Sequence, residues 1–432
     1  MKTCSQPAPG IDRIRRSLLG VLAAGLLLGG GTLPVAAASS REALRAEMTE
    51  ALQEYLAERR KVEMISGISA FVSLKDGETG ISAVAGTTRL VDSGERITRR
   101  TLYEIGSNTK QMTAAVLLRL EAKGLLDIDQ TVGDWLPQYK AWRHVSIRRL
   151  LNMTSGIPTY TEAPRFMDIQ AHRPNQHFTP EQLVAFAYPT PGNQLPPSTG
   201  WFYSNTNYIL AGMIAEKASG RSMKQLYQSF IFGPLHMKDS HYEPRALPES
   251  VIARMSSGYF NNPTCGEYEP DCTVAPLAPL VGKDMRRADI SWAGAAGGIV
   301  STPRDLQRWV RGLFGGRVLP PRQLQEMLEL VSSETGKPIR ETTAEDPRGF
   351  GLGVAAAYAP GLGHLWFYEG VTLGYRAVYF YFPEDDLVVT VFANSQAPEG
   401  KDELPPLALR LYEIIKDRPA PDDGPEAPED FD

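Results

Sequence analysis

Cysteine is nearly missing from this chain: Cys4, Cys265 and Cys272 are the whole supply in 432 residues. A disulfide-dense scaffold is therefore excluded, as are cysteine-built zinc modules. Histidine is also sparse, and the six residues at 144, 172, 177, 236, 241 and 364 are scattered. No His-Glu-x-x-His pair occurs, so a zinc hydrolase of that design is excluded. A Gly-x-Ser-x-Gly elbow is absent too, which disfavours a Ser-His-Asp hydrolase. There is no basic excess. Lys and Arg number 45 against 50 Asp and Glu, a net charge of −5, and no nucleic-acid footprint is visible. The Gly294-Ala295-Ala296-Gly297-Gly298 stretch lacks the spacing and preceding strand of a dinucleotide fingerprint. Close packing explains it better.

One long apolar run is present. Leu18 to Leu33 follows Arg13, Arg15 and Arg16, and Ala36-Ala37-Ala38 offers a small-residue cleavage site before Ser39. That order predicts a signal peptide over residues 1–38 and an exported, periplasmic or secreted protein. An uncleaved N-terminal anchor is the alternative, and membrane contact is expected in that case alone. In an exported chain, Cys265 and Cys272 form a candidate disulfide across a polar, turn-rich loop. A pair of reduced thiols is the other reading.

Hydrophobic spacing organises the rest. Leu44, Met48, Leu52 and Leu56 predict an amphipathic helix from Ser40 to Arg60. Strands are expected at Gly67–Leu74 and Gly80–Gly86, joined by Lys75-Asp76-Gly77. From Asp127 to Asp284 the chain reads as helical and loop-rich, with a long irregular stretch from Pro244 to Asp284. The runs His364–Glu369, Tyr375–Phe382 and Leu387–Ala393 predict an antiparallel meander, and Leu407–Ile415 a closing helix. The expected fold is α+β, an α/β sandwich. Its antiparallel sheet is built from N- and C-terminal segments (39–130 and 285–416) covered by helices. An inserted, mainly helical domain spans 131–284, and a disordered acidic tail spans 417–432.

Chemistry concentrates at Ser107-Asn108-Thr109-Lys110, the one Ser-x-x-Lys in the chain. An alternating apolar and polar run follows, placing Ser107 at a helix start. Residues three apart share a helix face, so Lys110 can lie beside the Ser107 hydroxyl and make it a nucleophile. Ser107 as a simple cap and Lys110 as a solvated first-turn lysine is the bland alternative. A second candidate element, Tyr203-Ser204-Asn205, opens another helix. Beside Lys110, the Tyr203 phenol is expected to have its pKa lowered and to move protons. Asn205 can fix Lys110 through its oxygen and donate from its amide to a substrate carbonyl. Tyr-x-Asn recurs at Tyr259-Phe260-Asn261, but without the helix-opening context.

Taken in order, these segments resemble the serine β-lactamase and penicillin-binding-protein superfamily, in its class C-like, esterase and DD-peptidase branch. Leu150–Gly156, Gly233-Pro234-Leu235-His236-Met237 and Ala295–Thr302 match further segments of that family. The resemblance covers nearly all of the chain from residue 45 to 415. It implies a Ser-Lys-Tyr acyl-enzyme mechanism carried by Ser107, Lys110 and Tyr203, with no cofactor and no metal. It also implies an oxyanion hole from the backbone N–H groups of Ser107 and Val371. The third family motif, Lys-Thr-Gly or His-x-Gly, departs here. Gly370, Thr372 and Gly374 keep the spacing, and Tyr368 stands at the lysine or histidine position. Tyr368 cannot supply a charge for a substrate carboxylate, Glu369 adds the wrong sign, and Arg376 is the candidate replacement. An ester or a D-amino-acid peptide, small and cell-wall derived, is therefore favoured over a β-lactam. The alternative is a catalytically weak penicillin-recognising or peptide-binding protein on the same scaffold.

Overall fold

The structure is a computed structural model describing residues 41–74, 79–91, 94–191, 195, 197–262, 276–398 and 400–418. The expected signal peptide, the Lys75-Asp76-Gly77 turn, the Cys265–Cys272 pair and the tail beyond Arg418 lie outside the described residues.

Twelve strands are described, named β1 to β12 in chain order. They are β1 Gly67–Ser73, β2 Gly80–Gly86, β3 Tyr103–Glu104, β4 His241–Tyr242, β5 Ile299–Ser301 and β6 Leu330–Ser332. The rest are β7 Pro338–Ile339, β8 Arg348–Phe350, β9 Ala355–Ala359, β10 Gly363–Val371, β11 Arg376–Phe382 and β12 Leu387–Ala393. Five helices matter most: α1 Arg41–Glu63, α2 Thr109–Ala122, α3 Asn205–Ser219, α4 Pro303–Phe314 and α5 Leu404–Ile415.

Nine strands form one antiparallel sheet in the order β2-β1-β12-β11-β10-β9-β8-β6-β7. The first two strands of the chain thus lie beside the last, with Ile68 opposite Ala393 and Val72 opposite Val389. The β10–β11–β12 meander follows the sequence expectation, as does the closing helix. Strands β1 and β12 are buried along their whole length. Helices cover both faces there, α1 and α5 on one side and α4 on the other. Residues such as Leu387-Val388-Val389 therefore have no wet face to alternate toward.

Helix α2 departs from the expected amphipathic pattern. Thr109, Lys110, Gln111 and Thr113 are buried along with Met112, Val116 and Leu117. The helix runs through the interior between α3 and the short helices at Gly294–Gly297 and Pro321–Leu328. A helix enclosed on all sides must satisfy its polar groups internally. Thr113 Oγ1 accordingly donates to the Ala295 carbonyl at 2.6 Å. Helix α3 stops where Gly220 adopts φ 67°, a left-handed cap that suits glycine.

Candidate active site

Ser107 lies in a tight three-residue turn, Gly106–Asn108, that leads straight into α2. The turn is held from three directions. On the upstream side, β3 pairs with β5, and Ile105 N–H donates to Ile299 O at 3.0 Å. From within, the Asn108 amide donates to Ile105 O and to Ala377 O of β11, each at 3.0 Å. Against β10 the contact is backbone to backbone. A Cβ on Gly370 would lie 1.9 Å from Ile105 O, and one on Gly106 would lie 2.8 Å from Val371 N. Gly106 also has φ +51°, so its lack of a side chain is needed twice over. Ser107 and the Gly370–Val371 peptide are thereby brought to one place.

Tyr203 and Asn205 arrive from the start of α3. Its unpaired N-terminal groups are taken up by the Pro158–Thr159 loop. Asn205 N–H donates to Thr159 Oγ1 at 3.1 Å, and Thr206 Oγ1 donates to Pro158 O at 2.7 Å. The Leu150–Gly156 segment backs the same region: Phe202 N–H donates to Met153 O at 2.9 Å, and Tyr208 OH to Leu151 O at 2.7 Å.

Three groups distant in sequence converge at the Ser107 hydroxyl. Lys110 Nζ is 3.0 Å from Ser107 Oγ, and the Tyr203 hydroxyl donates to the same oxygen at 2.5 Å. Lys110 Nζ also meets Asn205 Oδ1 at 2.7 Å and Ala296 O at 2.7 Å, and sits 4.7 Å from the centre of the Tyr203 ring. Lys110 is fully buried, and desolvation holds its pKa well below the ordinary lysine value of 10.5. A neutral amine has two N–H bonds and one lone pair. Asn205 and Ala296 accept the two N–H bonds, which leaves the lone pair facing Ser107. The bland alternative of a solvated first-turn lysine is overturned by that burial.

The expectation for the Tyr203 pKa is also corrected. Burial raises it above 10.0, hydrogen bonding to Ser107 lowers it, and nearby Glu369 raises it further. Desolvation of the phenolate outweighs the opposing influence of Ser107 and Tyr368, so Tyr203 rests as a neutral phenol. Tyr203 as a whole is half-buried. Asn205 does fix Lys110 through its oxygen, and its amide donates to Thr161 Oγ1 at 3.1 Å.

Tyr368 is only 4% exposed, with its ring edge-on to Phe350 at 6.0 Å. The two phenols interact, but the contact falls short of hydrogen-bond geometry. Arg376 does not replace the missing cation. Its β11 side chain is fully buried on the far side of the sheet, bound to Glu63 Oε2 at 2.5 Å, to Ser395 O at 2.8 Å and to Asp402. Tyr259 and Asn261 are engaged elsewhere, with the Leu90 N–H and Val62 O. His364 is exposed and contacts Thr342.

Sequence reasoning missed the Ala296 carbonyl and Thr161. It also missed Glu104, a buried acid on β3 whose pKa is raised to about 7, by desolvation chiefly. A carbonyl acceptor carries no residue signature. Glu104, three residues before Ser107, could have been flagged as an acid within an apolar strand. Among the described residues no cluster of His, Cys, Asp or Glu could hold a metal ion, and no helix is long and apolar enough to cross a membrane.

Comparison with known proteins places this geometry in a family. Residues 52–413 match the beta-lactamase family. The chain belongs to that family. A D-stereospecific amidohydrolase from Streptomyces is 29% identical, with a TM-score of 0.65 over 81% of this chain and 94% of that one. The D-amino acid amidase from Ochrobactrum anthropi, complexed with D-phenylalanine, is 26% identical, with a TM-score of 0.68 over 87% and 99%. Among curated relatives, Penicillin-binding protein 4* of Bacillus subtilis is 34% identical over 37% of this chain, a match spanning 34% of that protein's length. The family and the arrangement around Ser107 together indicate serine hydrolase chemistry.

Proposed function

We propose that this protein is an exported serine amidohydrolase or esterase that cleaves small D-amino-acid amides, esters or peptides through an acyl-enzyme on Ser107. The observation that carries the reading is the meeting of Lys110 Nζ and the Tyr203 hydroxyl on Ser107 Oγ, at 3.0 and 2.5 Å. Neutral Lys110 takes the Ser107 proton as Oγ attacks the carbonyl carbon. The carbonyl oxygen gains its negative charge beside the backbone N–H groups of Ser107 and Val371. Tyr203 gives its proton to the leaving atom as the bond breaks, and is recharged from the Lys110 ammonium. Water then attacks the acyl-enzyme with the same groups acting in reverse.

Similarity to the Streptomyces amidohydrolase and the Ochrobactrum amidase supports a D-amino-acid substrate. Tyr368 in place of a charged residue, and Arg376 turned away, support a substrate without a free carboxylate at the reacting end. The N-terminal sequence pattern supports export.

A fluorophosphonate probe is expected to label the wild type and not Ser107→Ala. Hydrolysis of D-phenylalanine amide and p-nitrophenyl butyrate is expected to exceed that of nitrocefin and of a D-Ala-D-Ala peptide. Faster cleavage of the carboxylate-bearing peptide overturns the substrate assignment. Failure to label, alongside a labelled control enzyme, favours a penicillin-recognising or peptide-binding protein, the reading that the uncharged Tyr368 keeps in play.

A further inference from the structure

Four phenols act on one another near Ser107. Tyr208 OH donates to Leu151 O at 2.7 Å, Tyr379 OH to Gln111 Oε1 at 2.9 Å, and Tyr203 OH to Ser107 Oγ at 2.5 Å. Tyr368 is the fourth, and its hydroxyl has no hydrogen-bond partner among the described residues. Its neighbours of greatest electrostatic influence are Tyr203 and Tyr208. A buried hydroxyl without a partner is costly and calls for a reason. The Tyr203 hydroxyl donates its hydrogen bond to Ser107 Oγ, and its oxygen keeps a lone pair to accept with.

We infer that Tyr368 is a positioning residue for Tyr203, its hydroxyl donating a hydrogen bond to the Tyr203 oxygen at the moment that oxygen surrenders its proton to the leaving group. The inference rests on the hydrolase reading above and deepens it. As the C–N bond breaks, the Tyr203 proton moves to the leaving nitrogen and the phenol oxygen becomes negative. The Tyr368 proton stays on Tyr368 and is shared with that oxygen. The Lys110 ammonium then returns the proton taken from Ser107, and Tyr203 is neutral again. No further reactant is needed.

Three observations give this step its logic. Burial and the nearby Glu369 both oppose a negative charge on Tyr203, so a donor is required at that oxygen. The contact with Tyr368 acts in the opposite sense, lowering the pKa of Tyr203 while that of Tyr368 is raised. The Tyr368 ring is also held firmly: Phe350 packs against it at 6.0 Å, and Trp201 against Phe350 at 5.5 Å. Trp201 is two residues before Tyr203 in the chain.

Tyr368→Phe keeps the ring and removes only the donor. A D-phenylalanine anilide leaves as an amine and needs the Tyr203 proton; a p-nitrophenyl ester leaves as a stable anion and needs it little. The variant is expected to lose about 10- to 100-fold in kcat on the anilide. The loss on the ester is expected to be far smaller, with KM for both little changed. Tyr368→His, which restores a donor, is expected to recover part of the anilide rate. Replacing Tyr368 with a fluorinated tyrosine, a stronger donor of nearly the same shape, is expected to raise the anilide-to-ester ratio, and so tests the step even if Tyr368→Phe folds poorly. An unchanged ratio in a wild type and variants that all label at Ser107 overturns this inference alone. No labelling of the wild type removes the hydrolase reading and this inference with it.

Discussion

Lys110 is the residue on which the proposed chemistry turns, because burial favours its neutral, basic form. Desolvation lowers its pKa below 10.5, while Tyr203 is shifted above 10.0. The active form needs Lys110 neutral and Tyr203 protonated. Ser107 labelling is therefore expected to rise with pH, and to level off below the ordinary lysine range with no loss from Tyr203 before it does. A profile following an unshifted lysine would contradict that assignment. Glu104 makes a second prediction at this scale. Its pKa is about 7 in the fold against 4.5 ordinarily, with desolvation first and a partial offset from the Thr372 hydroxyl. A raised acid favours its protonated form in the folded state. Its contribution to stability is present below 4.5 and is lost as pH rises through 7. Glu104→Gln, which cannot ionise, is expected to gain on the wild type by up to about 3 kcal/mol over that window. Denaturant melts at both ends of the window check the sign. The meeting of Ser107, Lys110 and Tyr203 was legible in the sequence, because these side-chain types suit one proposed chemistry and the Ser107–Lys110 spacing implies a shared helix face. The Tyr203 pKa was misread because a sequence shows which charge is near but not how much water is gone.

The element that aims the nucleophile is the contact between the Gly106–Asn108 turn and the end of β10. Pairing with β9 runs from Gly363 to Phe367, so beyond it the strand presents an edge to the turn. Gly370 has no room for a methyl group, its Cβ position being 1.9 Å from Ile105 O. Gly370→Ala is expected to separate β10 from the turn. Ser107 labelling should slow by about 100-fold, as displacements of an ångström commonly cost. The melting temperature should fall by much less than loss of a core residue would cause. Equal labelling rates would show that the contact does not set the site. The strands β10 to β12 were readable, since short turns separate dense β-branched and aromatic runs. Burial on all sides of α2 was not. Lys110, Gln111 and Thr113 look like a wet face until the acceptors brought by the Gly294–Gly297 helix and α3, and the Tyr379 hydroxyl donor brought by β11, are in place.

For the molecule as a whole, Arg376 joins the end of α1 to the chain just before α5, through Glu63 and Asp402. The end of α1 and the lead into α5 are thus tied to the strand that pairs with β10. Arg376→Met leaves two buried carboxylates short of their cation, and is expected to cost about 3–5 kcal/mol in denaturant unfolding. The additional Arg59–Glu63 pair is partly exposed and cannot replace it. A loss below 1 kcal/mol, the range of exposed pairs, would refute a structural role. The α+β architecture was visible because strands cluster at the two ends of the sequence and helices between, but Arg376 was not. Its strand face depends on register, and one step of register reverses it.

The strand order also has a consequence for biosynthesis. Ser107 leaves the ribosome more than two hundred residues before Gly370, and β1 waits for β12 before its second edge is covered. Such distant pairings form slowly, since the intervening loop must close first. A nascent or prematurely terminated chain therefore carries its serine without the wall that aims it, and the finished polypeptide alone is armed.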